Sequence, residues 1–188
     1  MPRQQYYFYP FGNIFDLTIQ DTKDKYSRKN NCTIIKAIHQ LQHIEDSSTL
    51  LIDGHCGESH DLIASHFEDD VPNKQVIKAG VLALTKLNNN LPKNHIKIRL
   101  LGCYGGIKAA PEIARLLGTI CGYQSIVVGG YSKSVFVDPK SRHIINLPDR
   151  DPIENSTNSG YVLWYNSQGT SVAKPNVQSD PNEYNPHF

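Results

Sequence analysis

His55 and Cys103 each stand directly after an apolar run and a glycine. The first run reads Leu50-Leu51-Ile52-Asp53-Gly54-His55, the second Ile96-Lys97-Ile98-Arg99-Leu100-Leu101-Gly102-Cys103. An imidazole beside a thiol is the smallest set of groups that performs covalent acyl transfer. The imidazole prepares the thiolate and later protonates the leaving amine. The oxyanion that develops needs donors already in place. Gly54, Gly57, Gly102, Gly105 and Gly106 leave the backbone open around both residues. The amides at Cys103 and around Cys56–Gly57 are the candidate donors.

Two elements must position this pair. An apolar run cut off by glycine is the pattern of a buried parallel strand, and Thr49–Asp53 and Ile96–Leu101 are read as such strands. In an open α/β sheet the ligand site lies off the carboxyl ends of the strands. Adjacent strands are roughly 5 Å apart, so His55 and Cys103 are expected at one rim. Lys97 and Arg99 alternate with the apolar residues of their run, which implies one face that is less buried or covered by a polar loop.

The remaining chain supports an α/β reading. Tyr6–Ile19 is read as one or two strands, and the polar stretch Gln20–Asn31 as a loop. Ile34, Ile38 and Leu41 fall at helical spacing, so Thr33–Glu45 is expected to be a helix capped by Asn31. His39 and His43 lie four apart there, a metal-compatible spacing that lacks a third ligand nearby; no metal is expected. Gly57–Asp70, with His60 and His66, has the position of an active-site loop. Asn73–Leu87 is a second expected helix, and Pro111 suits the first turn of a third that ends near Gly122. Ser125–Val128 is a further strand. Strands alternating with helices imply right-handed crossovers and a mostly parallel sheet. After Tyr131, short strands at Ser134–Val137, Arg142–Ile145, Tyr161–Tyr165 and Gly169–Val172 read as antiparallel hairpins. Residues 1–173 are read as one domain and 174–188 as a polar tail.

The 188 residues suffice for one substantial core. With 19 Lys plus Arg against 18 Asp plus Glu, nothing marks a nucleic-acid or membrane-surface protein. No apolar run nears the roughly 20 residues of a membrane span. The first residues lack the apolar core of a signal peptide. The four cysteines are too scattered for a disulfide scaffold, so the expected site of synthesis is the cytoplasm. Delivery into another cell by a signal-independent route stays compatible with this. Asn31-Cys32-Thr33 and Asn155-Ser156-Thr157 match a glycosylation triplet that is common by chance.

At Gly54-His55 and Gly102-Cys103 the chain resembles the caspase-like (clan CD) cysteine peptidases. Among these it is most similar to the self-cleaving cysteine-protease domains of multifunctional autoprocessing repeats-in-toxin proteins and large clostridial glucosylating toxins. Ser134–Asp138 and Tyr161–Trp164 resemble the hairpin flap that follows the catalytic core there. The resemblance implies a caspase-like three-layer sandwich with a C-terminal β-hairpin flap. It implies a toxin or effector thiol protease with His55 and Cys103 as its dyad. No cofactor is required for catalysis, but inositol hexakisphosphate is implied as an allosteric activator, with Lys133, Lys140, Arg142 and His143 as candidate contacts. The family glycine after the catalytic His is Cys56 here, and its side chain is expected to crowd the oxyanion position.

The expected partner is a protein or peptide substrate, with Glu58, Tyr104 and Tyr131 as candidate contacts; the sequence is silent on oligomeric state. An acidic pocket drawn from Glu58, Asp61, Glu68, Asp69 or Asp70 would favour basic substrates. An apolar one would favour leucine, as the resemblance implies. Two rival readings use the same residues: a catalytically silent caspase-like binding module, motivated by Cys56, and another Cys–His acyl-transfer enzyme such as a deamidase. A reversible Cys56–Cys103 disulfide would require the two Cα atoms within about 7 Å.

Overall fold

The computed structural model describes residues 4–132, 134–137, 143–146 and 162–172. Its elements in chain order are β1 (Gln5–Phe8), α1 (Leu17–Ser27), β2 (Cys32–Ile35), a 3-10 helix at Ile38–His43, β3 (Thr49–Ile52), β4 (His55–Cys56), β5 (Leu62–Ala64) and β6 (Val76–Lys78). There follow α2 (79–90), with a π-helical turn at Leu82–Leu87, β7 (Lys97–Leu100), α3 (Ala109–Thr119), β8 (Val127–Tyr131), β9 (Ser134–Val137), β10 (His143–Asn146), β11 (Val162–Tyr165) and β12 (Ser171–Val172).

The central sheet has the order β12-β11-β8-β7-β3-β1-β2. From β8 to β2 every pairing is parallel, whereas β11 runs antiparallel to β8 and to β12. Helices lie on both faces. Side chains alternate along a strand, so Leu50 and Ile52 face one way and Leu51 the other. Leu50, Ile52, Ile98, Leu100 and Val128 share the main core with α2 (Leu82, Ala83, Leu87) and α3 (Ile113, Ala114, Leu117). On the opposite face Leu51 and Leu101 join Tyr7, whose ring stacks on Tyr26 of α1 at 5.6 Å. The protein is thus an α/β sandwich with a mostly parallel sheet. Among the described residues no helix is long and apolar enough to cross a membrane.

β7 is buried along its whole length, including both of its cations, so neither face is the less buried one. Lys97 Nζ lies 5.0 Å from the centre of the Trp164 ring. Arg99 covers the Tyr131 ring at 5.1 Å and donates from Nη2 to the Tyr131 hydroxyl at 2.6 Å. Aromatic faces can accept a buried cation, so the alternation marks a lined face rather than a wet one.

Three other expectations are corrected. Gln20–Asn31 is largely helical: Asp16 caps α1 by accepting the Ile19 N–H at 2.9 Å, and the charge alternation supplies i,i+4 partners, Asp21 with Lys25 and Gln20 with Asp24. The expected helix at Thr33–Glu45 is instead β2 followed by a 3-10 segment. The β-branched run Thr33-Ile34-Ile35 extends the sheet beside β1, and only Leu41 of the 3-10 turn is fully buried. Residues 57–78 are not a plain loop and helix, because β4, β5 and β6 form a small antiparallel sheet that leads into α2. Arg142–Ile145 is shifted by one residue to β10, which pairs antiparallel with β9. The tail 174–188 lies outside the described residues.

Candidate active site

The rim is built by the register of β3 and β7. Leu50 pairs with Ile98 and Ile52 with Leu100, and the Leu101 N–H continues the ladder to the Ile52 carbonyl at 2.9 Å. Gly54 and Gly102 therefore arrive side by side. A Cβ on Gly102 would meet the Gly54 carbonyl oxygen, and it would lie 2.8 Å from the Cys56 sulfur. Glycine at 102 is what lets the two loops touch. Gly54 has φ +152°, and a Cβ there would lie 2.6 Å from the Ile63 Cγ2. Both conformation and space demand glycine at this point.

Beneath the rim lies Asp53, only 4% exposed. It accepts the Gly54 N–H at 2.8 Å on Oδ1 and the Tyr7 hydroxyl on Oδ2. Burial pushes its carboxyl up to about 6, partly offset by these two hydrogen bonds. The pair of bonds anchors the turn that releases His55 from the sheet.

His55 opens β4 and pairs with Ala64 of β5. Its Nε2 lies 3.4 Å from Oδ2 of Asp16, in ion-pair range but outside hydrogen-bond geometry. Catalytic contacts are commonly loose in an unliganded enzyme and tighten when substrate binds. Nε2 is thus the ring nitrogen turned to Asp16. The Phe67 ring stands edge-on to the imidazole, centroids 6.2 Å apart.

Cys103 is half-buried at the end of β7, in the turn before α3. The next residue, Tyr104, has φ +55°, which is uncommon outside glycine and marks a tightly turned backbone. Ser134 of β9 directs its hydroxyl to the Cys103 sulfur at 3.7 Å.

Cys56 is buried. Its side chain turns down into the main core, with its sulfur beneath Gly102 and 3.5 Å from where a Gly105 Cβ would stand. Burial, then the neighbouring Cys103, pushes its thiol well up, so Cys56 stays protonated and is no rival nucleophile. All four cysteines are free thiols.

The other expected site residues divide. Gly57 lies against the His60 imidazole, which a Cβ would meet at 2.5 Å. Glu58 is exposed and Tyr104 half-buried. Tyr131 is 1% exposed and bonded to Arg99, so it braces the sheet and does not face a substrate. Lys133, Lys140, Arg142 and the His143 side chain lie outside what the structure describes. Among the described residues, no group of three or more His, Cys, Asp or Glu side chains is placed to hold a metal ion.

Asp16 is the residue that sequence reasoning missed. The signal for it was present: an aspartate ahead of Ile19, Thr22 and Tyr26, a buried stripe at helical spacing. No protein-family model matches this chain, and no curated protein matches it in sequence.

Proposed function

We propose that this protein is a cysteine peptidase in which Cys103 is the nucleophile, His55 the general acid–base and Asp16 the group that orients His55. The observation that carries the reading is the joining of Gly54–Cys56 and Gly102–Cys103 at one sheet rim, with the Asp16 carboxylate 3.4 Å from Nε2 of His55. The order carboxylate, imidazole, thiol is the logic of an activated nucleophile held by a base that is itself oriented.

In this reading His55 takes the proton from the Cys103 sulfur, and the thiolate adds to the scissile carbonyl. His55 then gives that proton to the amine nitrogen as the C–N bond breaks, leaving an acyl-enzyme. Water, deprotonated by His55, releases the acid and restores the thiol. The Asp16 carboxylate orients the imidazole between these steps. Backbone amides at Cys103 and at Cys56–Gly57 are the proposed oxyanion donors.

The caspase-like fold, its flap and a toxin or effector context belong to the same proposal, as does activation by inositol hexakisphosphate. These rest on the resemblance at Gly54-His55 and Gly102-Cys103.

The test is labelling of the full chain with an electrophilic peptide probe, with and without inositol hexakisphosphate, followed by mapping of the adduct. Modification is expected at Cys103 and not at Cys56, and it should be lost in His55→Ala. An unlabelled Cys103 under every condition overturns the assignment.

A further inference from the structure

Three large apolar side chains stand in solvent on the segments that carry Asp16 and meet His55. Phe15 is 63% exposed, Leu17 76% and Phe67 73%. Phe15 and Leu17 flank Asp16 in the chain, and Phe67 meets the imidazole edge-on. Single exposed apolar residues are ordinary on a protein surface. Here two flank Asp16 in the chain and one meets His55, and the backbone of two of them is fastened.

His66 is the fastener. Its Nε2 donates to the Phe15 carbonyl at 2.8 Å, which leaves Nδ1 to accept from the Ser65 hydroxyl at 3.0 Å. Ser65 Oγ in turn accepts the Gln75 N–H at 2.9 Å. On the other side, Lys74 Nζ donates to the carbonyls of Phe67 at 3.3 Å and Glu68 at 3.0 Å, and to Asp69 Oδ1 at 2.7 Å. The Phe67 ring is thus exposed to solvent while its own carbonyl and that of Glu68 are tied by Lys74. An apolar group held in place before binding loses little freedom on contact, which favours its use in recognition.

The chemistry of the site says which part of a substrate passes here. His55 must reach the leaving nitrogen to protonate it, so the residue carrying that nitrogen lies beside the imidazole. The acyl half is tied to the Cys103 sulfur, whose neighbour is Ser134. We infer that Phe67, together with Phe15 and Leu17, forms the subsite for the residue on the leaving-amine side of the scissile bond. The subsite takes a large apolar side chain such as Leu, Met or Phe. Phe67 is its specificity-determining residue. This rests on the peptidase reading and decides which substrates that site favours.

The experiment digests a random peptide library with the full chain, alongside the Cys103→Ala control, and maps the new amino termini by mass spectrometry. Large apolar residues are expected at those termini about tenfold above alanine or aspartate, the scale of discrimination by a modest hydrophobic contact. Phe67→Ala should flatten that ratio, and Phe67→Leu should largely restore it. Leu17→Ser gives a second, independent reduction. Cleavage that depends on Cys103 but ignores the leaving-side residue overturns the subsite and leaves the peptidase reading standing. The same holds for a preference that Phe67→Ala does not change. No Cys103-dependent cleavage, with no probe labelling, overturns both.

Discussion

One carboxylate serves two partners: Asp16 accepts the Ile19 N–H on Oδ1 at 2.9 Å and faces His55 Nε2 with Oδ2 at 3.4 Å. The start of α1 and the candidate general base are therefore coupled through a single side chain. A helix cap is a stiff mount, because its own geometry is set by the first turn it closes.

This double role separates two substitutions. Asp16→Asn keeps a good cap, so the melting temperature should hold, while kcat/KM falls about 10²- to 10⁴-fold, the range of a general acid–base contribution. Asp16→Ala should show the same loss of activity plus about 1 kcal/mol of stability from the missing cap. Steady-state kinetics beside thermal melts distinguishes them. An Asp16→Asn enzyme of full activity would remove Asp16 from the mechanism.

Gly102→Ala tests the contact of the two loops. The added methyl meets the Gly54 carbonyl and the Cys56 sulfur, and backbone on one side leaves little room to yield. A cost of about 1–3 kcal/mol is expected, as for other overpacked sites, with weaker probe labelling of Cys103. Denaturant unfolding and adduct mass measure the two effects; neutral behaviour in both would mean the rim is looser than its geometry.

Asp53 ties stability to pH. Its folded value of about 6 lies above the roughly 3.9 of an unfolded aspartate. The folded state thus holds this proton more tightly, and the group's stabilising contribution is full below about pH 4 and lost as pH rises through about 6. In Asp53→Asn the amide can donate to the Tyr7 hydroxyl, which can turn to the Ile19 carbonyl 3.5 Å away. The fall in melting temperature between pH 4.5 and pH 7 should shrink in that variant, by thermal denaturation at fixed ionic strength. An unaltered pH slope would assign it to other groups.

β3 could be read from the chain because a strand buried on both faces is apolar nearly throughout, and β7 because its apolar residues alternate with Lys97 and Arg99; glycine follows each run. α1 carried a weaker signal, because its buried stripe is narrow: Ile19, Thr22 and Tyr26 are the residues that face inward on an otherwise polar helix. β2 was hidden for the opposite reason. Ile34, Ile38 and Leu41 satisfy a helical period, but pairing with β1 rewards Cys32–Ile35 for lying extended, and that reward is non-local.

Sequence alone determined that an imidazole and a thiol leave two buried strands after glycine. Which strands would be neighbours depended on pairing across distant segments, and only the fold decided that β3 and β7 lie adjacent and parallel. Only the fold turned the Cys56 sulfur inward and carried Asp16 to His55. Local propensity acts over a few residues, whereas these placements follow from core burial shared by elements far apart in the chain.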